Sequence, residues 1–167
     1  VTDFKKTGAD MNILFLCTGN SCRSIIAEAL FRSMAPAGVG VQSAGSRPAG
    51  YVHPRALEAL TDAGIATQGL ASKSWDDLAE KPSVVITLCA NAAGEACPVY
   101  FGKVVRCHWG MPDPDSVQGD DAAVRAAFAE TLAVLRRRIT ALVRQLEAHP
   151  GVDADGLQGI LDGIAVQ

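Results

Sequence analysis

Apolar and polar positions along this chain follow two rhythms, one of strands and one of helices. Asn12 to Cys17 (NILFLC) is a short, nearly continuous apolar run, the pattern of a strand buried on both faces. It stops at Thr18-Gly19-Asn20-Ser21, a turn cluster whose Ser21 is suited to cap a following helix. In that helix Ile26, Leu30 and Met34 form one apolar stripe, until Pro36, Gly38 and Gly40 end it. Val39 to Ala44 reads as a second strand. Pro54, fit for a first helical turn, opens a helix over Arg55 to Ala63 that Gly64 closes. Ser83 to Cys89 (SVVITLC) is the clearest strand, and Lys103 to Trp109 (KVVRCHW) is a weaker fourth. A long helix is expected from Asp121 to Ala148, where Val124, Phe128, Leu132, Leu135, Ile139, Leu142 and Leu146 recur every three or four residues, and Pro150 stops it. Beyond Gly151 (VDADGLQGILDGIAVQ) the apolar pattern is weak, so residues 150–167 are expected to be a C-terminal tail.

This alternation predicts an α/β domain with a mostly parallel sheet over residues 11–149. Ser46 to Gly50 and Met111 to Gly119 read as surface loops. Residues 1–10 (VTDFKKTGAD) carry charges and no apolar signal-peptide core, and are expected to be a leader or an expression remnant. A length of 167 residues fits one domain, and a hydrophobic fraction of 49% suffices for a core, which excludes global disorder. Fifteen Lys and Arg against eighteen Asp and Glu leave a net charge of -3, which argues against nucleic acid as the partner. No apolar run approaches the roughly 20 residues of a membrane span, so no membrane partner and a cytoplasmic location are expected.

Cysteine use sharpens the picture. The five cysteines, at 17, 22, 89, 97 and 107, are an odd number in a chain without an export signal, which favours thiol chemistry over a disulfide framework. The strongest local signal is Cys17-Thr-Gly-Asn-Ser-Cys-Arg23-Ser24, set between a strand and a helix. A tight loop feeding a helix N-terminus aims backbone N–H groups at one point, a trap for a tetrahedral oxyanion formed by Thr18, Gly19, Asn20, Ser21, Cys22 and Arg23. The helix dipole and the Arg23 guanidinium are expected to lower the pKa of Cys17 from the free value of about 8.5. Arg23 can grip two oxyanion oxygens in its planar fork. Ser24 is placed to donate a hydrogen bond to the Cys17 sulfur and improve it as a leaving group. The bland alternative is a glycine turn with two ordinary cysteines; the strand–turn–helix setting favours the catalytic one.

With that loop, residues 11–147 resemble the low-molecular-weight protein tyrosine phosphatase superfamily. The resemblance implies a three-layer αβα sandwich around a four-stranded parallel sheet of order 2-1-3-4. It implies too that Asp113, in Asp113-Pro114, is a general acid, although Asp-Pro alone is ordinary turn chemistry. Further matches are Thr87-Leu88-Cys89, Cys97-Pro98 and His108-Trp109-Gly110, a combination that resembles the thioredoxin-coupled arsenate reductases. That likeness implies attack of Cys17 on arsenate, a Cys17–Cys89 disulfide as arsenite departs, and its transfer to Cys89–Cys97 for reduction by thioredoxin, in the service of arsenic detoxification. Phosphate or sulfate would mimic arsenate in the loop. Cys22 is expected to be structural or protective, Cys107 and Trp109 to be packing, and His53 and His108 to be structural. No cofactor and no metal site is expected from the cysteine spacings, which lack CxxC or finger patterns.

Some relatives of that type bind potassium near the loop; the matching positions here are Asn20, Glu28 and Ser43. Leu70-Ala-Ser-Lys-Ser74 departs from their pattern, which leads to the expectation that the ammonium of Lys73 takes the cation's place. Asp115 and Ser116 follow Asp113-Pro114 where phosphatases commonly carry an aromatic residue, which counts against an aryl phosphate substrate. The competing functions are a low-molecular-weight protein tyrosine phosphatase with incidental second thiols, an oxyanion-responsive redox sensor, and an arsenate reductase coupled to glutaredoxin and glutathione.

Overall fold

The computed structural model describes residues 11–90, 94 and 101–167. Residues 1–10, and with them the expected leader, lie outside the described residues, as do Cys97 and Pro98. Four strands, β1 (Met11–Leu16), β2 (Val39–Ala44), β3 (Val84–Thr87) and β4 (Val105–His108), form one parallel sheet in the order β2-β1-β3-β4. The helices are α1 (Arg23–Met34), α2 (Pro54–Asp62), α3 (Asp121–Ala148) and α4 (Ala154–Ala165). Short 3-10 turns occupy Trp75–Asp77 and Pro114–Ser116.

Strand alternation divides the core. Ile13 and Phe15 of β1 and Val84 and Ile86 of β3 face one side, where α1, α2, α3 and α4 bury Ile26, Leu60, Leu135 and Leu161 against them. Leu14, Leu16 and Val85 face the other, with Phe101, Trp75 and Leu78 packed there. Strands buried on both faces explain the unbroken apolar runs of the sequence. Helix boundaries have local causes. Asp120 caps α3 through its carboxylate to Ala123 N–H at 2.9 Å, and Asp153 caps α4 to Gly156 N–H at 2.8 Å. Gly64, at φ +74, supplies the left-handed residue that ends α2.

The segment expected to be a tail is a docked helix. Leu157, Leu161 and Ile164 of α4 enter the main core, Trp109 Nε1 donates to Leu161 O at 3.2 Å, and Gln158 donates to Arg106 O at 3.0 Å. Three glycines within α4 keep its intrinsic propensity low, so tertiary packing, not local sequence, makes it helical. Among the described residues no helix is long and apolar enough to cross a membrane.

Candidate active site

The register sets the site. Leu16 lies opposite both Ala44 of β2 and Thr87 of β3, so the carboxyl ends of three strands stand level. Connections leave β1 toward β2 on one side and approach β3 on the other, making the crevice between β1 and β3 the place where open α/β sheets put their ligands. Cys17 follows β1 and Cys89 follows β3; both are buried, and the N–H of Thr18 lies 3.4 Å from Cys89 Sγ.

Between Cys17 and α1 the loop turns through Asn20, whose φ of 45° is the left-handed conformation that Asn tolerates better than most residues. Its side chain is fully buried and holds the loop from inside. Nδ2 donates to Ser24 Oγ at 2.8 Å and Ser43 Oγ at 3.0 Å, and Oδ1 accepts Lys73 N–H at 2.9 Å. The loop's outer carbonyls are occupied as well. Thr18 O accepts from Arg47 N, and Gly19 O from Ala49 N and Ser72 Oγ. Gly45 permits this approach, since a Cβ there would meet Thr18 O at 2.3 Å. Ser21 does not cap α1: the N-cap is Cys22, without a side-chain cap, and the Ser21 hydroxyl donates to Tyr51 O at 3.0 Å.

Arg23, the first residue of α1, has a side chain only 12% exposed. Its Nη1 donates to Met111 O at 3.0 Å and Nη2 lies 3.8 Å from Asp113 Oδ2, while its buried Nε has no partner among the described residues. A buried guanidinium N–H left unmatched costs about 1–3 kcal/mol, a cost that an oxyanion oxygen would relieve. Asp113 opens a turn and faces Arg23. Its Oδ1 caps the Pro114–Ser116 turn by accepting Asp115 N–H at 3.0 Å, and its other oxygen faces Arg23.

The proton on Cys17 differs from expectation. A hydrogen bond to Cys89, followed by burial, pushes the Cys17 thiol well above the ordinary thiol range, against the pull of the Arg23 guanidinium and the Thr18 N–H. The largest upward influence comes from Cys89, which follows β3 and lies outside the loop whose dipole and guanidinium favour the thiolate. Cys22 is buried in the main core and pushed up to about 12 by burial. Cys107 is pushed up to about 11 by burial and a hydrogen bond to Asp162. Both pack in the main core cluster, whereas Cys17 and Cys89 lie together in the cluster on the other face of the sheet. Trp109 is fully buried in the core, and His108 meets Thr87 Oγ1 at 2.8 Å. Ser24 is buried and accepts from Asn20, which leaves its O–H to donate.

Lys73 lies beside the buried Glu28, with Nζ 3.6 Å from Oε1, the oxygen that also accepts Ser43 N–H at 2.9 Å. Asn20, Glu28 and Ser43 are therefore satisfied within the chain, and the lysine brings its own positive charge to the carboxylate. This donor set does not fit an additional resident cation. Asn20 meets Lys73 through the backbone N–H, not the ammonium. The sequence reading missed the supporting roles of Gly45 and of Ser72. It also gave His53 no part in the site, although His53 joins the loop, α2 and the Asp113 turn. Only the Gly at the strand end offered a signal, and a weak one.

Comparison with known proteins agrees with this geometry. Residues 12–151 match the family described as low molecular weight phosphotyrosine protein phosphatase. An arsenate reductase of Halalkalibacterium halodurans is 38% identical over 128 residues, covering 76% of this chain and 91% of that protein. Among solved structures, an arsenate reductase in the phosphate binding state superposes with a TM-score of 0.67 at 25% identity, covering 81% of this chain and 98% of that one. The thioredoxin-dependent arsenate reductase of Corynebacterium glutamicum has a TM-score of 0.65 at 30% identity, covering 86% of this chain and 65% of that one. The cysteine loop between β1 and α1, a 2-1-3-4 sheet and these relatives together make the chain a member of the low molecular weight phosphotyrosine protein phosphatase family, on its arsenate reductase side.

Proposed function

We propose that this protein reduces arsenate to arsenite by a relay of three thiols, Cys17, Cys89 and Cys97, regenerated by thioredoxin. The observation that carries the reading is the second thiol beside the Cys17 loop: Cys89 Sγ lies 3.4 Å from the N–H and 3.5 Å from the Oγ1 of Thr18, the residue that follows Cys17. A phosphatase needs one nucleophilic thiol and an acid, and has no use for a second sulfur there. Arsenate enters the loop against the N–H groups of residues 18–23 and the Arg23 guanidinium. The Cys17 thiolate attacks arsenic, Asp113 protonates the departing oxygen, which leaves as water, and an arseno-cysteine forms. Ser24, steadied by Asn20, donates its free O–H toward the Cys17 sulfur and eases its later departure. Cys89 then attacks Cys17 Sγ; a Cys17–Cys89 disulfide forms while arsenic takes the bonding pair and leaves as arsenite. Cys97 attacks Cys89, releasing the Cys17 thiolate and moving the disulfide to Cys89–Cys97. Phosphorus does not follow this reductive route, so phosphate acts as a mimic. Likeness to the thioredoxin-dependent enzyme of Corynebacterium glutamicum supports thioredoxin as donor. Such a cycle fits the reducing cytoplasm and a role in arsenic detoxification.

The test is arsenate-dependent NADPH oxidation in the presence of thioredoxin and thioredoxin reductase. Sustained turnover by the wild type and none by Cys89→Ser is expected. Turnover restored only by glutaredoxin and glutathione would replace the donor. Equal hydrolysis of an aryl phosphate by both proteins, without arsenate reduction, would replace the reaction.

A further inference from the structure

One side chain outside the relay ties three parts of the site together. The backbone N–H of His53 donates to Ser21 O of the anion loop at 3.1 Å. Its ring Nδ1 accepts Arg55 N–H at 3.0 Å and so caps α2. An accepting Nδ1 leaves the proton of the neutral ring on Nε2, and Nε2 lies 2.9 Å from Asp115 Oδ1. Phe128 of α3 packs against the ring, 4.9 Å between centroids, so the imidazole is fixed in orientation as well as in place. Asp115 in turn donates its backbone N–H to Asp113 Oδ1 at 3.0 Å, which leaves Oδ2 directed toward Arg23.

We propose that His53 and Asp115 act as a clasp that sets the Asp113 carboxyl against the anion loop, and are positioning residues for its proton transfer. The proposal rests on the reading of Asp113 as the general acid. Asp113 opens a turn of three residues whose Pro114 is buried, while its own side chain is 44% exposed. The buried side of the turn is fixed by packing. On the opposite side the bond from Asp115 to His53 joins the turn to α2, α3 and the loop. An exposed hydrogen bond of this kind contributes little to stability. A displacement of about 1 Å in a reacting group can nevertheless cost about 100-fold in rate.

The experiment measures arsenate-driven loss of thiols in the first turnover, as a function of arsenate concentration, in the full-length protein. Asp115→Ala removes the acceptor at an exposed position. His53→Asn keeps an oxygen to cap α2 but is too short to reach Asp115. Both are expected to slow the saturated rate about tenfold, with the half-saturating arsenate concentration within twofold of wild type and the melting temperature unchanged. Asp115→Asn, which keeps the acceptor oxygen, recovers most of the rate. Asp113→Asn is slowed by about 100-fold or more, and adding Asp115→Ala to it costs nothing further. Wild-type rates in Asp115→Ala with a slow Asp113→Asn would overturn the clasp and leave the acid in place. A wild-type rate in Asp113→Asn would overturn both. A multiplicative loss in the double variant would show that the clasp acts on something other than the acid.

Discussion

Cys17 and Cys89 influence each other's protonation in a way that neither motif displays alone. The thiol of Cys17 is raised because it hydrogen-bonds to Cys89 and is buried, with Arg23 pulling in the opposite direction. For an acidic group a raised pKa means that the thiolate appears only at higher pH, so removing the largest upward influence moves its appearance to lower pH. Cys89→Ala is therefore expected to shift the pH midpoint of Cys17 alkylation by iodoacetamide downward, and Arg23→Ala to shift it upward. An unchanged midpoint in Cys89→Ala would mean that the two sulfurs do not interact. At this scale the loop was legible because Cys17, Arg23 and Ser24 lie within one short strand–turn–helix signature. The proton balance was not, since Cys89 arrives from another strand. Asn20 showed as a turn residue, but its buried bonds to Ser24, Ser43 and Lys73 join segments that are distant in the chain.

Elements with strong periodicity matched their sequence patterns closely. The helix expected over 121–148 is found over those residues, and the four strands fall within a residue or two of the apolar runs. Helix α4 shows where pattern fails: Gly156, Gly159 and Gly163 dilute its apolar stripe, yet Leu161 is fully buried and its carbonyl accepts the Trp109 indole N–H. Trp109 stands between β4 and the Asp113 turn, and Arg138 of α3 donates to its carbonyl at 3.3 Å. Leu161→Ala is expected to destabilise the fold by about 2–5 kcal/mol, the cost of a cavity in a packed core. A shift of Trp109 fluorescence to longer wavelength should accompany it. Denaturant unfolding at the wild-type midpoint, with unshifted emission, would show that α4 is a dispensable tail.

For the whole molecule, the alternation of strands and helices was enough for an α/β class, while the 2-1-3-4 order came from the family resemblance. That order has a chemical consequence. It makes β1 and β3 neighbours, so two residues far apart in sequence, Cys17 and Cys89, emerge at one sheet edge beside the loop that leads into α1. The same architecture supports phosphatases and reductases, and the difference lies in what a second sulfur can do to the first. The most direct measurement uses Cys97→Ser, which blocks the relay after its first exchange. The protein is treated with one equivalent of arsenate, free thiols are alkylated, and the peptides are mapped by mass spectrometry alongside arsenite determination. A Cys17–Cys89 disulfide formed in step with one arsenite per protein is the expected result. Alkylated Cys17 and Cys89 with no arsenite released would contradict the relay.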